Sequence, residues 1–411
     1  TTLWTIVGQI GELGGQVVVE SAHRNDDRHA GSDASRSVHA TEGTDVSRPC
    51  DKTAQWLPMR VTTPTLQEAP SWGDHVHWAV AAPFTITTDD RWLAPFVPGD
   101  AHDFSLVPRR GAEVSWHQRR SRRAGLRDWR RHLAQSHEAC RIAHRTGGGV
   151  ITVFPQLAAT TGMEKRLCRR DFPVLAWFFD TELDTSLRLT ASRLALAHVD
   201  RFVVHTRVER EVFARILGLP VDRFSFVPLQ YGGDIETDAV DEDDPFIFTT
   251  GSGFRDYPTF FEAIGRLDIR TVVCSGERAL AGTTPPACVE VRNELSRREI
   301  HQMIRRARLN VLPMTTQGIT AGGITIVETF RHGRGLVATR RPGLDDYLFD
   351  DKNALLVPPG DPGALAEAIH AVWEDDALRQ RLDDEAADFA LQLTDEAAGT
   401  ALGDLLDQLS A

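Results

Sequence analysis

FIFTTGSGFRDYPTFFEAIGRLDIRTVVCSG, residues Phe246 to Gly276, sets a short apolar run, a glycine-rich turn, an amphipathic segment and a second apolar run side by side. Apolar runs of four to six residues bounded by turn residues read as buried strands, and the intervening YPTFFEAIGRL (Tyr257–Leu267) has helical spacing, so the unit is strand, loop, helix, strand. The alternation continues downstream. SRREIHQMIRRA (Ser296–Ala307) reads as a helix, LNVLPM (Leu309–Met314) as a strand, TIVETFRHG (Thr325–Gly333) as a helix and GLVAT (Gly335–Thr339) as a strand. NALLVPP (Asn353–Pro359) and PGALAEAIHAVWED (Pro362–Asp375) add a strand and a helix. Strands and helices in strict alternation build a parallel sheet with helices on its faces, so residues 246–380 form a doubly wound, Rossmann-like α/β domain, closed by acidic amphipathic helices over 381–411.

Working back, the same pattern occurs upstream. HVHWAVAAPF (His75–Phe84), DFSLV (Asp103–Val107), GVITVF (Gly149–Phe154), PVLAWFF (Pro173–Phe179), RFVVHT (Arg201–Thr206) and RFSFVPL (Arg223–Leu229) read as strands separated mostly by helices. Residues 74–230 are therefore a second Rossmann-like domain, joined to the first through an acidic, aperiodic linker at 231–245. At 411 residues the chain exceeds the roughly 250–300 at which one core stops growing, which agrees with two domains. Residues 1–73 lack sustained apolar periodicity, and GELGGQ (Gly11–Gln16) within them reads as a turn, because VVVE after it favours a strand over the helix a phosphate loop requires.

Composition narrows the class. A net charge of −12 disfavours nucleic acid as a partner, and no apolar run approaches the roughly 20 residues that span a bilayer. The cysteines form no CxxC pair and no signal-peptide pattern is present, which points to reduced thiols, a cytoplasmic protein and no metal site.

In doubly wound sheets the ligand lies beyond the carboxyl ends of the strands, where helix N-termini offer unpaired amides to phosphates. Two loops of the second domain suit that position. In the first, Gly251, Ser252 and Gly253 let the backbone approach an anion, and Arg255 can grip a diphosphate bidentately; a plain turn with a surface arginine is the other reading. In the second, Gly322 and Gly323 open a helix whose first turn carries Ile324, Thr325 and Ile326, a seat for phosphate. Glu328 follows one turn on, either to accept the hydroxyls of a ribose or simply to oppose the helix dipole.

These loops, in this order, together with GLVAT and NALLVPPGD (Asn353–Asp361), resemble the donor domain of family 4 glycosyltransferases, the retaining enzymes of GT-B architecture, over residues 247–383. FPQLA (Phe154–Ala158), VVHTRVERE (Val203–Glu211) and RFSFVPLQ (Arg223–Gln230) resemble the acceptor domains of some members. The resemblance implies two Rossmann-like domains facing across a cleft, and transfer of a sugar from a nucleoside diphosphate sugar to an acceptor hydroxyl with retention, without metal or cofactor. Arg255 and the amides of Gly322 to Thr325 then hold the diphosphate and Glu328 the ribose. Many members carry a further glutamate before the last that contacts the transferred sugar; here Thr320 stands at that place, or Gln317 if the loop is three residues longer. A GT-B sugar-nucleotide epimerase and a non-catalytic partner subunit are the alternatives.

On the acceptor side, Asp180 and Glu182 follow the strand PVLAWFF and His205 ends the next strand, each either a cleft-facing group or an ordinary strand-end residue. Arg255, Glu328 and Asp180 are the candidate catalytic residues. The acceptor is a carbohydrate, a lipid-linked sugar or a small molecule. Finally, the stretch Arg109–His132 holds nine arginines with Trp116 and Trp129 interleaved, and reads as a solvated helix face, a contact for anionic lipid at the inner membrane face, or a nucleic-acid patch, the last disfavoured by the acidic remainder.

Overall fold

The structure is a computed structural model that describes residues 75–83, 92–109, 126–169, 171–178, 186–233, 235–237, 239–293, 295–316 and 321–411. The expectations placed on residues 1–73 lie outside these. The first half contains β1 (Val76–Ala81), β2 (His102–Val107), α1 (Leu126–Thr146), β3 (Gly149–Val153), α2 (Pro155–Cys168), β4 (Val174–Trp177), α3 (Ser186–Leu196), β5 (Arg201–Val204), α4 (Arg207–Leu217) and β6 (Phe224–Phe226). The second contains β7 (Ile247–Thr250), α5 (Tyr257–Leu267), β8 (Thr271–Cys274), β9 (Val289–Arg292), α6 (Arg297–Arg306), β10 (Leu309–Leu312), α7 (Gly323–Arg331), β11 (Leu336–Thr339), β12 (Ala354–Val357), α8 (Pro362–Glu374), α9 (Asp376–Ala390) and α10 (Asp395–Ser410).

Each half forms one six-stranded, all-parallel sheet, ordered β2-β1-β3-β4-β5-β6 and β12-β11-β10-β7-β8-β9. Both therefore reverse direction once, the second between β7 and β10, and a doubly wound sheet opens its ligand crevice at that reversal. One strand, β9, has no counterpart in the expected set. VEVR is a half-exposed edge strand whose residues alternate charge with valine, so it lacks the apolar run that marks the buried strands.

Burial on both faces requires cover on both faces. In the first sheet Ala79, Ala81, Val150, Val174 and Ala176 pack against side chains of α1 to α4, including Trp129, Leu157, Ala195 and Phe213. Trp78, Val80, Ile151, Leu175 and Val203 point the other way, onto Ala398, Leu402, Leu405 and Leu406 of α10. The last helix of the chain thus returns to close the first sheet, while Ala386 and Ala390 of α9 pack on the second-half cluster with Phe330 and Leu336. At Gly399 the helix meets the chain so closely that a Cβ would lie 2.3 Å from the Phe96 carbonyl oxygen.

Local signals start the helices where the expected loops end. Thr206 and Glu209 close a capping box on α4, and Ser296 and Glu299 close another on α6. Asp256 and Asp361 cap α5 and α8 ahead of prolines in the first turn. The acidic linker lies irregularly along the second half, where Asp241 pairs with Arg306 and Asp244 approaches Arg270 to 3.4 Å. Such exposed pairs contribute about 1 kcal/mol or less each. Among the described residues no helix is long and apolar enough to cross a membrane, and Cys140, Cys168, Cys274 and Cys288 are unbridged.

Candidate active site

The glycine turn after β7 and the N-terminus of α7 meet at Arg255. Its Nη2 donates to Thr325 Oγ1 at 2.8 Å, which ties the two expected loops together directly. Its Nε donates to the Thr250 carbonyl at 2.9 Å, and Nη1 donates to the Gly253 carbonyl and to Met314 Sδ, both at 3.0 Å. A short antiparallel bridge between Arg255 and Met314 fixes the residue at the sheet reversal, beside the end of β10. A guanidinium has five N–H groups, so these four bonds leave a single Nη2 proton for a ligand. The expected bidentate grip on a diphosphate therefore does not match this arrangement. Arg255 is the bracket that holds the site and a fixed positive charge within it.

The first of the two glycines in the turn is required by that bracket. Gly251 has φ +109°, and a Cβ there would lie 2.3 Å from Arg255 Nη2. Ser252 hydrogen-bonds through Oγ to the Gly276 amide at 3.2 Å and lies 3.3 Å from Ser275 Oγ, while Gly253 has open space over its Cα. Gly322 caps α7 at φ +103°, and Gly323, Ile324 and Thr325 form its first turn, where amides have no intrahelical acceptor. The side chain of Ile324 is exposed. A second cation stands close by: Arg341, two residues beyond β11, is buried, and burial first and repulsion from Arg255 second bring its pKa down to about 10. It keeps its charge at neutral pH. Burial likewise lowers the Arg255 guanidinium from its ordinary value.

Glu328 lies one turn into α7 and is 8% exposed. Its Oε1 accepts from Arg297 Nη2 at 2.7 Å and stands 3.4 Å from His301 Nε2, both on α6. Burial pushes this carboxyl up, but the approach of the His301 ring and the charge of Arg297 outweigh it and hold the group below its usual range. Glu328 is thus an oriented carboxylate and more than a partner of the helix dipole. The linker residue Tyr231 backs the arrangement, with Oη 3.2 Å from His301 Nδ1 and its ring 5.0 Å beneath the Arg297 guanidinium.

The structure brings Gly251, Ser252, Gly253, Arg255, Gly322, Gly323, Ile324, Thr325 and Glu328 to one edge of the second sheet. Thr320, Gln317, Asp180 and Glu182 lie outside the described residues, as do residues 110–125 of the basic stretch. Within the rest of that stretch Trp129 is 1% exposed and belongs to the core, so it is a packing residue and not an aromatic anchor; Arg127 and Arg130 are exposed. Ser275, Gly276, Arg297, His301 and Arg341 were not among the expected residues. Arg341 carried a legible signal, a basic pair directly after a strand's carboxyl end, whereas Arg297 and His301 reach Glu328 only through helix packing.

Comparison with known proteins bears on the fold and on part of the second half. Residues 259–375 match the family model described as glycosyl transferases group 1. No curated protein matches the chain in sequence. Among solved structures, a sucrose-phosphate synthase from Thermosynechococcus elongatus aligns with TM-score 0.60 and 15% identity, covering 82% of this chain and 99% of that one. Anabaena HepE in complex with UDP and glucose aligns with TM-score 0.56 and 12% identity, covering 81% and 100%. A glycosyltransferase from Rickettsia africae aligns with TM-score 0.58 and 9% identity, covering 82% and 99%. The two parallel-sheet domains are those of the GT-B fold.

Proposed function

We propose that the protein is a glycosyltransferase that takes its sugar from a nucleoside diphosphate sugar. The observation that carries this reading is the 2.8 Å bond from Arg255 Nη2 to Thr325 Oγ1, which joins a glycine turn and a helix N-terminus into one cationic seat at the sheet reversal. The group 1 match over residues 259–375 covers α5 to α8 and so includes that helix, α6 and Glu328. HepE, which shares the fold, was crystallised with UDP and with UDP-glucose.

In this reading the diphosphate rests on the amides of Gly323 to Thr325 and beside Arg255 and Arg341, while Glu328 accepts from the ribose hydroxyls. The acceptor oxygen bonds to the anomeric carbon as the bond to the diphosphate oxygen breaks. The hydroxyl proton passes to that departing oxygen on the same face, so configuration is retained. Charge growing on the leaving group is met by fixed cations and dipoles that cost no reorganisation, and for that reason the proposal needs neither metal nor cofactor. A calorimetric and thermal-shift titration of UDP, GDP, ADP and TDP tests it. One nucleotide is expected to raise the melting temperature of the wild type, by about 2.7 kcal/mol of added stability at one hundred times its Kd, and to fail on Arg255→Ala. Absence of binding across all four would overturn the reading.

A further inference from the structure

The loop that leaves β11, residues 340–353, reaches the first half and satisfies backbone groups that the first half leaves open. The capping box of α4 accounts for three amides at that helix start. Glu209 Oε2 accepts from the His205 and Thr206 amides, both at 2.8 Å, and Thr206 Oγ1 accepts from the Glu209 amide at 3.1 Å. The Arg207 amide, in the first turn, is left over. Asp346 of the second half accepts it at 2.7 Å through Oδ2 and takes the Arg207 guanidinium on Oδ1. A carboxylate in that position also meets the positive end of the helix dipole. The guanidinium covers the contact from outside, 4.5 Å from the centre of the Phe226 ring.

Tyr347, the next residue, does the same for the sheet. β5 and β6 pair as far as Val204 and Phe226, and one more bond runs from the Val227 amide to the Val204 carbonyl at 3.0 Å. The His205 carbonyl and the Leu229 amide therefore lie beyond the ladder. The Tyr347 hydroxyl donates to that carbonyl and accepts from that amide at 2.9 Å, so its one proton is used and it fills one need of each kind. Its ring is buried, and burial pushes the phenol's pKa up, which keeps the proton in place. The His205 imidazole is itself buried, 4.7 Å from the Phe178 ring, with Nδ1 donating to the Val227 carbonyl at 2.8 Å, and is a packing residue of the strand end.

The loop is braced within the second half. The Tyr347 amide donates to the Leu344 carbonyl and Asn353 Nδ2 donates to the Tyr347 carbonyl, both at 2.9 Å, and Gly343 turns the chain at φ +90°. Phe178, after β4, adds an apolar contact by packing on the second-half cluster that includes Leu312 and Met314. These contacts between the halves run along the ends of β4, β5 and β6, and each is made by the chain's own atoms. We propose that Asp346 and Tyr347 lock the two halves in one arrangement, so that the chain, and not a bound nucleotide, sets the space between them. Parting the halves strips the Arg207 and Leu229 amides and the His205 carbonyl of their partners together, so the bonds open as one cooperative unit. The lock is independent of what the donor seat binds.

Amide hydrogen exchange on the full chain, read residue by residue, tests it. Tyr347→Phe removes the partner of the Leu229 amide directly, so the informative amide is Arg207, whose partner Asp346 is untouched. Both are expected to exchange about tenfold faster or more, and Asp346→Ala is expected to do the same to Leu229. Asp346→Asn keeps an acceptor oxygen and should fall between, and it carries the comparison if a stronger variant unfolds. Asp345→Asn, at the exposed neighbour, should change neither amide. Val150 in β3 and Val311 in β10 should keep their wild-type protection throughout, which reports that both halves are folded. Saturating UDP, GDP, ADP or TDP should leave Arg207 and Leu229 unchanged in the wild type. Acceleration confined to the amide whose own partner was removed, or slowing of both wild-type amides by a nucleotide, would overturn the lock. Failure of all four nucleotides to bind would count against the transferase reading and leave the comparison of variants intact.

Discussion

Replacing Arg255 by lysine separates charge from geometry at the donor site. The guanidinium meets four acceptors, Thr250 O, Gly253 O, Met314 Sδ and Thr325 Oγ1, at 2.8 to 3.0 Å. An ammonium keeps the charge but has three donors on one point, and cannot reach acceptors spread around a planar fork. Two lost bonds at about 1.5–3 kcal/mol each amount to roughly 3–6 kcal/mol in a sealed site. Arg255 is only half-buried, so water replaces part of them and the net loss falls to about 1.5–3 kcal/mol. The loss falls on the tie between the glycine turn and α7, which then splay apart. At about 1.4 kcal/mol per decade, affinity for a nucleoside diphosphate should weaken about ten- to a hundredfold. The melting temperature without ligand should drop by a few degrees, at about 1–2 °C per kcal/mol for a chain of this length. Calorimetry measures the first and differential scanning fluorimetry the second. A lysine variant that binds within twofold of wild type while Arg255→Ala does not bind would show that charge alone suffices, and would refute the bracket.

Glu328→Gln is expected to weaken binding of a nucleoside diphosphate about tenfold and to leave inorganic diphosphate unaffected, since Glu328 is assigned to the ribose; equal weakening of both in calorimetry would remove that assignment. Gly399→Ala should lower the melting temperature, although an exposed helical glycine normally gains about 0.5–1 kcal/mol from alanine, because the new Cβ would stand 2.3 Å from the Phe96 carbonyl. Gly403→Ala, whose Cβ would sit 3.4 Å from Pro98 and Val97, should cost less, and the reverse order in thermal melts would contradict the packing of α10. The folded-state pKa of His205, about 4, lies below its ordinary 6.5, so its contribution is complete above pH 6.5 and is lost as pH falls from there to about 4. That window is worth on the order of 3 kcal/mol. His205→Phe should flatten urea-melt stability across it relative to wild type, and parallel pH profiles would show that the imidazole protonates as easily in the folded protein as in the unfolded one.

How much of this was readable before the structure depends on whether the signal is local. The buried strands were, because a strand covered on both faces must be largely apolar, as β4 (VLAW) is along its whole length. So were the two donor loops, since a glycine at φ near +100° and a polar helix start leave marks in neighbouring residues. The edge strand β9 was not, because half its surface meets water and its four alternating residues are too few to stand out without an apolar run. The number of bonds at Arg255 was not readable either, and that number changed its role from a grip to a bracket.

Sequence by itself determined the two-domain alternation of strands and helices, and with it the edge of the second sheet where a ligand must sit. Only tertiary structure decided that α10 returns to seal the first sheet, that Arg297 and His301 orient Glu328, and that Arg341 joins Arg255. Periodicity records whether a face is buried, not what buries it. Ala398 and Leu402 look the same whether they cover Trp78 or the neighbouring domain, and Glu328 looks the same whether its partner is water or an arginine 31 residues upstream.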